Sequence, residues 1–270
     1  MEVVFILSSL GEELSYMIEI HKEYWEDIPV LIAVKSEYQD QPLPVLTYFH
    51  GFTSAKENNL PLAYLLAEKG YRVILPDSLY HGERESDIPN DQRQLQFFKI
   101  VEQNLKDLQI IKDELTKRAL IKNQRFGIAG TSMGGITTAA ALTQFDWVKA
   151  AAVLMGSPKI SDYARELVAN IKEVRGELPI AVEELEAIYN SLEQIDLSKQ
   201  IEKLNERPLF FWHGENDSVV PFAHSYDFYE EATKLYKNPE NIRFLREVNR
   251  DHKVSRFAII ETVNWFELQL

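Results

Sequence analysis

The stretch that most constrains this chain is Gly130-Thr131-Ser132-Met133-Gly134-Gly135. An apolar run, Phe126 to Ala129, leads into it, and a small-residue segment, Ile136 to Leu142, leads out. That order reads as strand, sharp turn, helix, with a serine at the turn. Chance alone gives Gly-x-Ser-x-Gly in on the order of one in ten chains this long, so its context has to supply the meaning. Gly130 and Gly134 lack the Cβ that would clash where a strand and a helix close on a tight turn. The turn forces Ser132 into a strained backbone state. A helix beginning at Met133 aims backbone N–H groups at the same point, which suits a developing negative charge.

The flanking segments alternate. Leu43 to Phe49, Tyr71 to Leu75, Arg125 to Gly130, Ala150 to Leu154 and Pro208 to Trp212 are short apolar runs of the kind buried on both faces of a parallel sheet. Ile242 to Val248 alternates apolar and polar residues, as a half-exposed strand does. Between these runs the spacing predicts helices over about 59–69, 91–118, 222–236 and 255–268. In the second of these, Leu95, Phe98, Val101, Leu105, Leu108, Ile111 and Leu115 form one stripe. Met17 to Glu23 and Pro29 to Val34 predict an antiparallel hairpin at a sheet edge. From about 159 to 207 no buried strand is apparent. Helices are expected there near 162–172, 181–193 and 197–204, with breaks at Gly176 and Pro179, forming a small cap inserted into one domain that spans 1–270. The fold class is α/β.

Functional groups in such sheets gather beyond the carboxyl ends of the strands. Here those ends carry His50-Gly51, Asp77 with His81, Ser132, Asp217 and His252. Ser132, Asp217 and His252 follow the chain order of a nucleophile-elbow enzyme. In that reading His252 is the base, Asp217 orients it, and the Phe52 and Met133 N–H groups form the oxyanion hole. His50 anchors its loop, Gly51 lets the backbone come close, and His81 braces the loop after Asp77. Phe52, Leu79, Trp212 and Phe222 are candidates for an apolar acyl pocket. His213 is read as structural and His224 as an exposed helix residue.

The 270 residues include no cysteine, which excludes disulfides and thiol catalysis. The net charge of −13 argues against nucleic acid or an anionic membrane as partner. The apolar start, Met1 to Leu7, has no basic residue before Lys22 and is too short for a signal peptide, so a cytoplasmic protein is expected. Neither cofactor nor metal is implied by any motif. Oligomeric state is left open.

The set His50-Gly51-Phe52, Asp77 to Arg84, Gly130 to Gly135, His213 to Pro221 and Asp251-His252 resembles the α/β-hydrolase superfamily. It is similar to small bacterial carboxylesterases of the YjfP type in the dienelactone-hydrolase and prolyl-oligopeptidase branch. The resemblance implies a mostly parallel sheet of about eight strands and hydrolysis of short-chain carboxylic esters through an acyl-enzyme. Amidase, peptidase or acyltransferase chemistry on the same triad, and a non-catalytic ligand-binding role, are the alternatives.

Overall fold

A computed structural model describes residues 3–5, 17–85, 88–176 and 180–270. Nine strands form one sheet: β1 (Val3–Phe5), β2 (Ile18–Trp25), β3 (Ile28–Lys35), β4 (Leu43–Phe49), β5 (Arg72–Pro76), β6 (Ile121–Thr131), β7 (Ala150–Leu154), β8 (Leu209–Gly214) and β9 (Ile242–Glu247). Their order across the sheet is β1-β2-β3-β5-β4-β6-β7-β8-β9. The first three are antiparallel to their neighbours, and the six from β5 to β9 run parallel. The sheet therefore has the expected eight strands plus the three-residue β1 at its edge.

The burial of each strand follows its place. Every residue of β4, β5, β7 and β8 is buried, whereas β2 and β9, toward the edges, are only partly so. The order also reverses at one point. The chain leaves β4 through α1 (Leu60–Glu68) to reach β5 on one side, then returns to β6 on the other. A crevice opens at the carboxyl ends of strands where the winding reverses in this way. The loop after β4 and the turn after β6 are its two walls.

Helices α1 and α8 (Arg256–Gln269) pack on one face through Leu62, Leu66, Ala258 and Phe266. The opposite face carries α3 (Phe97–Lys117), α4 (Met133–Gln144) and α7 (Phe222–Ala232). Helix α4 is buried along nearly its whole length, and its residues are small enough to sit close on the sheet. Its buried threonines satisfy their hydroxyls on the preceding turn, Thr137 with Met133 O at 3.0 Å and Thr138 with Gly134 O at 2.8 Å.

The helix expected over 91–118 is two helices, α2 (Asn90–Leu95) and α3, separated at Gln96. Gln96 leaves helical geometry at φ −88°, ψ 2°, and its N–H bonds Arg93 O at 3.0 Å, a tightened turn. The break turns Phe97 into an aromatic group with Phe52, Phe98 and Tyr163. Between β7 and β8 lie α5 (Ile160–Arg175), α6 (Val182–Glu193) and two short 3-10 turns, 197–199 and 201–204. The break expected at Pro179 lies outside the described residues, as does most of the apolar start. Among the described residues no helix is long and apolar enough to cross a membrane.

Candidate active site

Ser132 stands at φ 55°, ψ −113°, a conformation costly for a side-chain-bearing residue. Its N–H is tied to Leu154 O on β7 at 2.8 Å, and its carbonyl accepts the Ile136 N–H at 2.9 Å. Strand and helix thus hold the turn from both sides. The approach is close enough that a Cβ on Gly134 would lie 2.0 Å from Phe49 O.

The structure brings Ser132, His252 and Asp217 together. His252 Nε2 lies 2.8 Å from Ser132 Oγ, and His252 Nδ1 lies 2.7 Å from Asp217 Oδ2. The 247–252 loop is strapped to the end of β8 by two backbone bonds, Glu215 N–H to Glu247 O (3.1 Å) and Asn216 N–H to Arg250 O (2.9 Å). Gly214 makes that contact possible, since a Cβ there would meet Arg250 O at 2.5 Å. Trp212 and Ser255 both donate to Glu247 Oε2, at 3.0 and 2.6 Å, which fixes the loop's other end.

Asp217 is surrounded by donors. Burial pushes its carboxyl up, but hydrogen bonds from His213 and His252 and from the Val220 and Val219 N–H groups outweigh this. They hold it well below the usual carboxylate range, so it is ionised at neutral pH. Both backbone bonds go to Oδ1 at 2.9 Å, leaving Oδ2 to the two histidines.

The loop after β4 is stitched to the loop after β5 by two buried imidazoles. His50 Nε2 accepts the Ser78 N–H at 3.0 Å while Nδ1 donates to Gly51 O at 2.8 Å. His81 Nε2 accepts the Thr53 N–H at 3.2 Å while Nδ1 donates to Leu79 O at 2.9 Å. Each ring accepts one backbone proton, so each is neutral. Burial accordingly pushes His50 down to about 4, and His81 down as well. Phe52, between these two anchors, is held edge-on to His81. Behind them, Lys56 is fully buried on Asp77 Oδ2 at 2.5 Å, with Glu83 Oε1 at 2.6 Å.

A cavity of about 560 Å³ opens on Ser132 and His252. Phe52 lines it, but Leu79, Trp212 and Phe222 do not. Trp212 is fully buried in the α8-side core with its indole on Glu247, Leu79 packs into the opposite core, and Phe222 lies edge-on to His213. The walls come instead from Tyr48, Leu62, Met155, Val254 and Ile259 on the α1–α8 side. These residues sit far apart in sequence, and only strand order brings them to one crevice. Gly51 serves this space rather than a close backbone contact, since a Cβ there would meet Thr131 O at an ordinary 3.5 Å. His81 is not a cavity residue.

His224 is buried rather than exposed. Its Nδ1 contacts Ser157 Oγ at 2.9 Å and its Nε2 contacts Glu166 at 3.1 Å, linking α7 to α5. Sequence reasoning also missed Lys56, Glu247 and the contact of His213 with Asp217. The two charged residues carry no motif, but His213 four residues before Asp217 was a usable signal. Among the described residues no three His, Asp or Glu side chains converge as a metal-holding group.

Comparison with known proteins agrees with this architecture. Residues 62–266 match the model of the prolyl oligopeptidase family. The chain is 43% identical over 255 residues to "Putative esterase YitV" of Bacillus subtilis, covering 94% of this chain and all of that one. It is 33% identical over 205 residues to esterase YjfP of Escherichia coli, covering 76% and 81% of the two chains. Among solved structures, TT1662 of Thermus thermophilus superposes with a TM-score of 0.74 at 18% identity, covering 93% and 98%. With its doubly flanked parallel sheet and its serine on the turn after β6, the chain belongs to the prolyl oligopeptidase family of serine hydrolases, on the α/β-hydrolase fold.

Proposed function

We propose that the protein is a carboxylesterase that cleaves short-chain esters through a Ser132–His252–Asp217 triad. Ser132 Oγ attacks the ester carbonyl as His252 Nε2 takes its proton. The Phe52 and Met133 N–H groups receive the oxyanion of the tetrahedral intermediate. His252 then protonates the leaving alkoxide, and the alcohol departs from the acyl-enzyme. Water attacks that ester in turn, giving its proton to His252, and collapse returns the proton to Ser132 and releases the acid. The Nδ1 proton stays on His252 throughout, donated to the Asp217 carboxylate, which stabilises the imidazolium that forms at each stage.

The observation that carries this reading is the contact of Ser132 Oγ with an imidazole whose far nitrogen is bonded to a buried, ionised carboxylate. The cavity, with its apolar Leu62, Met155, Val254 and Ile259, supports a small ester rather than an extended chain. The names of the relatives YitV and YjfP point the same way. The test is hydrolysis of p-nitrophenyl acetate and butyrate by wild type and Ser132→Ala, with a fluorophosphonate and mass spectrometry to locate the labelled residue. The variant is expected to lose on the order of 10⁴-fold or more in kcat. Undiminished hydrolysis, or label on another serine, refutes the assignment.

A further inference from the structure

His213 is fully buried near the end of β8, against the same carboxylate that His252 uses. Its Nε2 lies 3.1 Å from Asp217 Oδ2 and 3.1 Å from Val220 O. Its Nδ1 lies 3.2 Å from Ser225 Oγ. A carbonyl and an ionised carboxylate can only accept, so Nε2 carries a proton. Ser225 Oγ lies 2.6 Å from Gly156 O. Two oxygens at that distance need a proton between them, and the carbonyl has none to give, so the Ser225 proton points at Gly156. Ser225 therefore offers Nδ1 lone pairs alone. Every partner of the ring is an acceptor, and only a doubly protonated ring satisfies all of them.

We propose that His213 is a positioning residue held as an imidazolium, forming with Asp217 a buried, internally neutralised pair that aims Oδ2 at His252. The positioning role rests on the roles proposed above for Ser132, His252 and Asp217.

The surroundings leave this charge to Asp217 alone. From α7 come Ser225 and the edge of Phe222, at 5.8 Å between ring centroids, while the neighbouring His224 is engaged by Ser157 and Glu166. From α5, burial pushes the Tyr163 phenol up to about 12, so it is neutral. Arg246, the β9 residue in register with His213, turns its side chain to Glu215 at 3.5 Å. The 247–252 loop contributes His252 itself, with Arg250 paired to Glu247.

The test begins with the wild-type protein at rest. ¹⁵N-histidine NMR at pH 7.5, assigned by the signal lost in His213→Gln, is expected to show both His213 nitrogens protonated. A singly protonated His213 overturns the proposal, and this measurement needs no active variant. His213→Gln keeps a neutral N–H within reach of Asp217 and removes the charge. It is expected to lower kcat about tenfold with KM unchanged. A kcat equal to wild type would reduce His213 to a structural role. If His213→Gln does not fold, Ser225→Ala removes the lone pairs that demand the second proton. The Nδ1 proton signal is then expected to vanish near neutral pH, and its persistence refutes the accounting. A doubly protonated His213 in a protein inert to the fluorophosphonate would sink the hydrolase reading while sparing the ion pair, so the two failures are distinguishable.

Discussion

Gly134→Ala tests the geometry of the turn with a single methyl group. A Cβ built at Gly134 lies 2.0 Å from Phe49 O, 2.5 Å from Phe49 C and 2.9 Å from His50 O, all backbone atoms. Real Cβ contacts essentially never fall below 3.0 Å, so strand β4 and helix α4 must separate by about 1 Å. Ser132 is two residues before the methyl on one side, and Gly51-Phe52 begins one residue beyond His50 on the other. In the proposed mechanism, the separation therefore moves Ser132 and the Met133 N–H away from the Phe52 N–H. A misplacement of about 1 Å costs on the order of 100-fold in rate, or about 2.7 kcal/mol of barrier. Overpacking of this kind destabilises a fold by about 1–3 kcal/mol, which lowers the melting temperature of a chain this size by roughly 2–12 °C. The expected result is a folded protein, somewhat less stable, with kcat/KM for p-nitrophenyl butyrate down about 100-fold. Gly135→Ala is the control, since its Cβ would meet Gly156 Cα and Leu154 O at 3.0 Å and needs only a few tenths of an ångström. Gly134→Ala with more than half the wild-type kcat/KM and an unchanged melting temperature would refute the reasoning. So would Gly135→Ala proving the more damaging of the two.

Other perturbations address the supports of the site. His50 is held at about 4 in the fold against an ordinary 6.5, so the unfolded chain binds the extra proton between these values. Its contribution is complete above 6.5 and is lost as pH falls through that window toward 4, a change of about 3 kcal/mol. Urea unfolding at pH 7.5 and 5.0 should show the loss, and His50→Asn should flatten the dependence. Lys56→Met leaves the Asp77 carboxylate buried without its cation and is expected to destabilise the fold by about 3–5 kcal/mol. Adding Asp77→Asn should recover part of this, and a strictly additive double-mutant cycle would show that the pair is not coupled. Lys253 is the one Lys, Arg, Asp or Glu lining the cavity, and among the described residues it pairs with no acidic side chain. A p-nitrophenyl hemiglutarate should therefore lose several-fold in kcat/KM in Lys253→Met while p-nitrophenyl valerate does not, and equal losses would deny Lys253 a role in selecting charge.

Much of this molecule was legible because a parallel sheet buries its strands on both faces. Such strands read as continuous apolar runs, and the polar residues that end them mark the functional edge of the sheet. The runs at 43–49 and 150–154 coincide with β4 and β7. Ser132 and Asp217 could be picked out as candidates because each lies just beyond such a run, and His252 because it lies beyond the alternating run of β9. The pocket residues Leu79, Trp212 and Phe222 failed for the opposite reason. An aromatic or aliphatic side chain at a strand end can enter the core or the crevice, and its neighbours in sequence do not say which. The break at Gln96 was hidden for a similar cause, since the apolar stripe continues through it while Phe97 turns to meet Phe52 and Tyr163.

The sequence by itself determined the order of elements, the strained turn at Ser132 and which side chains are candidates for nucleophilic chemistry. These depend on local periodicity, on the missing Cβ of a glycine and on side-chain chemistry, all carried by short stretches of chain. The tertiary structure alone decided which strands became neighbours, and hence that Ser132 and His252, 120 residues apart, meet at 2.8 Å. It also decided that His213, read from sequence as a structural ring, shares a carboxylate oxygen with His252. Hydrogen bonding acts over about 3 Å in space, whatever the separation along the chain. The protonation of a buried ring is therefore set by whichever acceptors the fold delivers to it.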